Sequence, residues 1–156
     1  MVAQEQEELS LVTIVVDANI LFSVIVKSDG VLAKLWFDVA DRFDLVAPAY
    51  LLGELHEHHQ RLCKLSGLTS SKVAEVRTIL LEDVSVILEK VVSPEARAKA
   101  VQLTSGLDEE DAPYVALAIY FNCPLWTGDK KLIAGLVKRG FKDVVDTSEV
   151  RAMLDM

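Results

Sequence analysis

Residues 108–132 read DEEDAPYVALAIYFNCPLWTGDKKL. Four acids, Asp108, Glu109, Glu110 and Asp111, share the first turn of a predicted helix over 109–121. An apolar strand, Pro124–Thr127, follows, and a fifth acid, Asp129, sits just beyond it. A parallel sheet returns the end of such a strand to the neighbourhood of the preceding helix start. Two carboxylates about 4 Å apart repel by roughly 4 kcal/mol at an effective dielectric of about 20. Acids gathered this way call for a positive charge among them, and a carboxylate-lined divalent-metal site is the expectation.

Working outward, LVTIVV (Leu11–Val16) is a β-rich apolar run, predicted as a strand buried on both faces and ending at Asp17. Ala18–Lys27 reads as a short helix, and Ser28-Asp29-Gly30 as a turn. Val31–Asp41 has helical spacing, Phe43–Ala47 is a second strand closed by Pro48, and Ala49–Lys64 reads as one helix with Leu51, Leu52, Leu55 and Leu62 inward. Ser66-Gly67 breaks it, and Thr69 or Ser70 caps a helix running through Val73, Val76, Ile79 and Leu80. Val84–Leu88 fits either a helix end or a strand. Pro94 suits the first turn of a helix that Gly106 ends. Beyond the central stretch lie a helix over 130–139 terminated by Gly140, a strand at Val144–Val145 and a helix over 148–154.

Short apolar strands alternating with helices imply an α/β fold, a three-layer α/β/α sandwich around a short-stranded, mainly parallel sheet. Residues 1–10 are predicted as a flexible N-terminal extension, and 11–156 as a single domain of ordinary size. Sites in open parallel sheets form at the carboxyl ends of the strands. Asp17 ends the first strand, Asp129 follows the strand at 124–127, Glu54 lies early in the helix after the second strand, and Asp111 opens the helix feeding the 124–127 strand. Four acids distant in sequence therefore converge.

Composition narrows the function. With 24 acids against 16 bases the net charge is −8, and setting the four converging acids aside still leaves −4. A global basic face for nucleic acid is absent, so a polyanionic substrate must be held by metal and local Lys or Arg. This counts against a dedicated nucleic-acid-binding module and not against an enzyme. Apolar residues are 51% of the chain and the mean hydropathy is +0.30, high enough that a partner or second copy is expected to cover some apolar surface. The first nine residues lack the apolar core of a signal peptide, and the tract 11–26 is interrupted by Asp17 and shorter than the roughly 20 residues of a membrane span. Cys63 and Cys123 form no metal or redox spacing. A cytoplasmic protein without membrane attachment is the expectation.

Simpler roles compete residue by residue. Asp108 stands where a helix N-cap would, with Asp111 three positions on, close to a capping box. Glu109 and Glu110 suit the helix dipole and a solvated face. Asp17 interrupts an apolar tract, where an unpaired carboxylate is costly, so a functional role outweighs a structural one. Asp129 can also cap its helix, and Glu54 can also be a surface acid. His56, His58 and His59 do not share one helix face, so an exposed helix end explains them better than a metal site. Tyr114 and Trp126 fit core packing better than base stacking. Lys130, Lys131, Lys138 and Arg139 follow Asp129 and could touch phosphates, while the last two equally suit a helix C-terminus.

VDAN (16–19), Glu54 on a helix, DEEDAPYVALA (108–118) and LWTGDKKL (125–132), in that order, resemble the PIN-domain family, which includes VapC-type toxin nucleases. The resemblance covers nearly the whole chain. It implies a metal-dependent endoribonuclease, often a homodimer, hydrolysing RNA phosphodiester bonds with Mg²⁺ or Mn²⁺. Carried over by position, the catalytic acids are Asp17, Glu54, Asp111 and Asp129, with Asp17, Asp111 and Asp129 as metal ligands. Asn19, Thr127 and Asp108 match site-lining positions. A toxin role with an antitoxin partner follows by analogy alone. Two other classes stand against it. A non-catalytic PIN-fold assembly protein would show a damaged acidic set, and this set is intact. A phosphatase on a doubly wound sheet usually has a second Asp two residues after its nucleophile, whereas position 19 is Asn.

Overall fold

A computed structural model describes residues 12–156; the expected extension over 1–10, and Leu11, lie outside the described residues. The chain runs β1 (Val12–Val16), α1 (Ala18–Val26), α2 (Val31–Arg42), β2 (Phe43–Pro48), α3 (Tyr50–Glu57), α4 (His59–Ser66), α5 (Ser70–Leu81) and β3 (Val84–Ile87). It continues with α6 (Pro94–Thr104), α7 (Ala112–Phe121), β4 (Leu125–Trp126), α8 (Lys130–Lys138), β5 (Val144–Val145) and α9 (Thr147–Leu154). Short 3₁₀ turns occupy Glu89–Val91 and Glu109–Asp111.

The five strands pair in parallel in the order β3-β2-β1-β4-β5. The three-layer α/β architecture expected from the sequence is the one observed. Ile14, Val15 and Val16 are fully buried in succession, as residues are when helices cover both faces of a sheet. Chain order reverses between β1 and β4: β2 and β3 build outward from one side of β1, and β4 and β5 from the other. A crevice opens at the carboxyl ends of the strands at such a switch point.

Two tryptophans hold the switch point in place. Trp126 of β4 stacks on Trp36 of α2 with ring centroids 6.1 Å apart, and both are fully buried. Each indole N–H has a partner, Trp36 Nε1 donating to Asp83 Oδ2 at 3.2 Å and Trp126 Nε1 to Thr147 Oγ1 at 3.1 Å. These bonds remove the cost of burying the indole donors. They also fix β4 directly before Thr127 and Asp129.

Several boundaries differ from the expectation. Val12 is 55% exposed, so β1 is covered on both faces only from Ile14 onward. The single helix expected over 49–64 is two, broken at His58, whose backbone (φ −95, ψ 9) leaves the helical region. The break leaves Leu55 and Leu62, which seven-residue spacing would put on one helix face in any case, both in the core, while Leu52 faces outward. It also seats the His58 ring edge-on against Phe22 of α1, 5.5 Å between centroids. Val84–Ile87 is a strand, paired with β2. The helix expected from Glu109 begins as a 3₁₀ turn and becomes α-helical at Ala112. It ends at Asn122, which takes the left-handed conformation (φ 52). β4 is two residues long, although Pro124 O accepts from Val15 N and Thr127 N donates to Val145 O, extending the pairing at both ends.

Candidate metal centre

Asp17 is the first residue past β1, and its N–H donates to Trp126 O at 2.9 Å, so β4 positions it directly. Its side chain is buried. The Thr127 hydroxyl donates to Asp17 Oδ2 at 2.8 Å. The same hydroxyl oxygen accepts from Asn19 Nδ2 and from Asp129 N, both at 3.1 Å. One donor and two acceptor positions are all that a threonine hydroxyl has, and this one uses them all. Asn19 in turn accepts from Gly128 N through Oδ1 at 3.1 Å. Asp17, Asn19 and the loop 127–129 are thus one connected polar unit across the switch point.

Asp129 caps α8, Oδ1 accepting from Lys131 N at 3.0 Å and Leu132 N at 3.1 Å. The capping reading and the site reading both hold for this residue, because it also lines a shallow pocket of about 290 Å³ with Asp108 and Asp111. Asp108 is exposed and accepts from Glu110 N at 3.0 Å, which caps the 3₁₀ turn. The capping box suggested by its spacing to Asp111 does not form, since the Asp111 side chain makes no capping bond.

Asp111 is half-buried, and its Oδ2 is shielded from solvent without a hydrogen-bond partner. Burial, and then the charges of Asp17, Asp108, Asp129 and Glu54, push its carboxyl up to about 8. Burial likewise raises Asp17, against the lowering influence of the Thr127 hydroxyl and the backbone amides of Asn19 and Ala18. Glu54, on α3, rises to about 7, chiefly by burial, and a hydrogen bond from the Tyr114 hydroxyl to Oε1 works against the rise. Coulombic coupling among Asp17, Glu54, Asp108, Asp111 and Asp129 means that these acids sense one another, as the convergence argument requires.

Tyr114 is the residue whose role the sequence did not disclose. It is buried in α7, as expected for core packing, yet its hydroxyl orients Glu54 from 60 positions away. Nothing in its local spacing signals that bond. Trp126 is core, as expected. Arg139 is committed to structure, with Nη1 donating to Leu103 O at 2.8 Å and also to Ser105 O at the end of α6. His59 is bonded to Ser70 and Arg77, away from the acids.

Among the described residues no group of three or more His, Cys, Asp or Glu side chains is already arranged to hold a metal ion. The donor set nevertheless fits a hard divalent cation. An unpartnered buried carboxylate oxygen on Asp111, ringed by further carboxylates, is a group that a cation would satisfy. Mg²⁺ usually keeps several waters and takes only one or two carboxylates, so it does not require a closed cage.

No curated protein sequence matches the chain. The family model described as PIN domain matches residues 15–152. Among solved structures, PAE2754 from Pyrobaculum aerophilum is similar over 92% of this chain and 90% of its own, with a TM-score of 0.66 at 18% identity. VapBC2 from Rickettsia felis, solved bound to a DNA fragment from their promoter, is similar over 86% of this chain and 98% of that one, with a TM-score of 0.63 at 14% identity. At such identities the likeness to both is one of fold. No helix among the described residues is long and apolar enough to cross a membrane.

Proposed function

The chain belongs to the PIN-domain family, and from that premise we propose that it is a metal-dependent endoribonuclease, hydrolysing RNA phosphodiester bonds at the acids of the switch point. The observation that carries this is Asp111: a half-buried carboxyl with one oxygen unpartnered, pushed up to about 8 by burial and by the four acids around it. Structural ion pairs lower carboxyl pKa values, whereas catalytic and metal sites gather like charges and raise them.

Asp17, Asp111 and Asp129 would hold Mg²⁺ or Mn²⁺. When bound, such an ion offsets charge on the phosphoryl oxygens and makes a water more acidic. The rest is the work of the chain. Thr127 and Asn19 fix the rotamer of Asp17 and the loop carrying Asp129. Tyr114 holds Glu54, whose carboxyl, ionising at about 7, is suited to accept a proton at neutral pH as a general base. Asp108 lines the mouth of the pocket.

A toxin role with an antitoxin partner belongs to the same proposal and is supported by the fold shared with VapBC2. A homodimer, residues 11–156 as one domain and a cytoplasmic location are likewise proposed; the mean hydropathy of +0.30 supports a covered apolar face.

The test is cleavage of a labelled, structured RNA by the wild type and Asp111→Asn, with Mn²⁺, with Mg²⁺ and with chelator. Cleavage that needs metal and vanishes in the variant supports the reading. Equal cleavage by both proteins attributes the activity to a contaminant and removes Asp111 from the site.

A further inference from the structure

A second groove adjoins the acids, between α1 and α4. It encloses about 480 Å³, and Asn19, Phe22, Lys27, His58 and Arg61 are among its lining residues, with no acidic side chain in the lining. In a chain of net charge −8 this is a local reversal of sign. Lys27 and Arg61 are exposed, and the ion pairs among the described residues, Lys72–Glu75 and Arg97–Glu89, involve neither. One end of the groove is Asn19, whose amide is bonded to Thr127 and Gly128, so the groove begins at the side chain that supports the acidic centre. The helix break at His58 belongs to the same feature, because it separates α4 from α3 and brings α4 against α1. Phe22 is partly buried and has the His58 ring edge-on against it.

A polyanion leaving the acidic centre meets two uncommitted cations and an aromatic ring on this side. We propose that the groove is the track for single-stranded RNA flanking the scissile phosphate, Lys27 and Arg61 contacting backbone phosphates and Phe22 with His58 presenting a face to one base. A single strand is specified because bases already stacked in a duplex do not reach an aromatic side chain. The inference rests on the nuclease reading and adds to it where the flanking strand lies and which residues bind it.

The experiment compares the wild type, Lys27→Gln/Arg61→Gln and a control of equal charge loss elsewhere, Lys99→Gln/Lys142→Gln. All four positions are exposed, so folding is preserved. Two readouts are taken with Mn²⁺: steady-state cleavage of a single-stranded oligoribonucleotide across a salt series, and hydrolysis of bis(para-nitrophenyl) phosphate, too small to reach the groove. The groove variant should show KM for RNA raised about tenfold with kcat little changed, and a salt slope shallower by about 1.4, at roughly 0.7 for each phosphate no longer neutralised. Its hydrolysis of the small diester should match the wild type, and the control should match on both. RNA kinetics unchanged in the groove variant, or changed equally in the control, would overturn the groove and leave the nuclease standing. A wild type that cleaves neither substrate removes both readings together.

Discussion

The Thr127 hydroxyl and the Asp17 carboxylate, 110 positions apart, meet at 2.8 Å over the paired ends of β1 and β4. Both are buried. Because that hydroxyl also accepts from Asn19 and from the Asp129 amide, three elements of the site depend on one oxygen.

Thr127→Val is close in shape but leaves Asp17 without its donor and the Asp129 amide without its acceptor. Unsatisfied buried groups cost about 1–3 kcal/mol each, so a loss of a few kcal/mol in stability is expected from denaturant titration. Thr127→Ser keeps the hydroxyl and should recover much of the loss. A Val variant as stable as the wild type would rule out the central role of this oxygen.

Mg²⁺ or Mn²⁺ should raise the melting temperature of the wild type, as any ligand that binds only the folded state does. Asp17→Asn and Asp129→Asn should weaken that shift. Asp111→Asn should abolish it while raising the melting temperature of the metal-free protein, because it removes a carboxyl whose ionised form burial and the neighbouring acids disfavour. Metal shifts unchanged in all three variants would take these residues out of the metal centre.

The metal-free protein should lose stability as pH rises between about 4 and about 8. An unfolded chain releases carboxyl protons at about 4. Folded Glu54 keeps its proton up to about 7 and Asp111 up to about 8. The folded state binds more protons throughout that window, so stability is highest at its acid end and falls as pH climbs through the folded values. Thermal melts in chelator across this range test it, and Asp111→Asn should flatten the upper part of the curve.

Tyr114→Phe removes the hydroxyl that holds the Glu54 carboxyl down against burial. Glu54 should then keep its proton to higher pH, moving the acid limb of the kcat/KM profile for RNA cleavage upward. The missing hydrogen bond should cost about 1 kcal/mol of stability. An unmoved acid limb would mean that Glu54 is not the base.

Arg139→Ala should destabilise by about 0.5–1.5 kcal/mol, since the exposed guanidinium supports the carbonyls of Leu103 and Ser105 where α6 ends ahead of Asp108. Lysine lacks the planar guanidinium fork, and its more strongly hydrated ammonium should restore only part of the loss. Chemical denaturation measures both variants; equal stability in all three proteins would remove the anchoring role.

Much of this protein was legible in its chain because the relevant physics is local. Strands buried on both faces announce themselves as unbroken apolar runs, and TIVV directly before Asp17 does so even in a strand of five residues. Turn and cap chemistry is also local: Thr69 caps α5 and Ser93 caps α6 through their own side chains, and Gly67, Gly106 and Gly140 take positive φ where helices end. The acids fell into place because a parallel sheet leaves few positions for the residue after a strand. Only the tertiary structure decided the rest. The break at His58 carries neither Pro nor Gly, and it coincides with the long-range contact of the His58 ring on Phe22. The bonds of Tyr114 to Glu54 and of Thr127 to Asp17 join residues whose separation no local pattern encodes. Sequence spacing set which acids could meet; long-range packing set which of their oxygens found a hydrogen and which, on Asp111, did not.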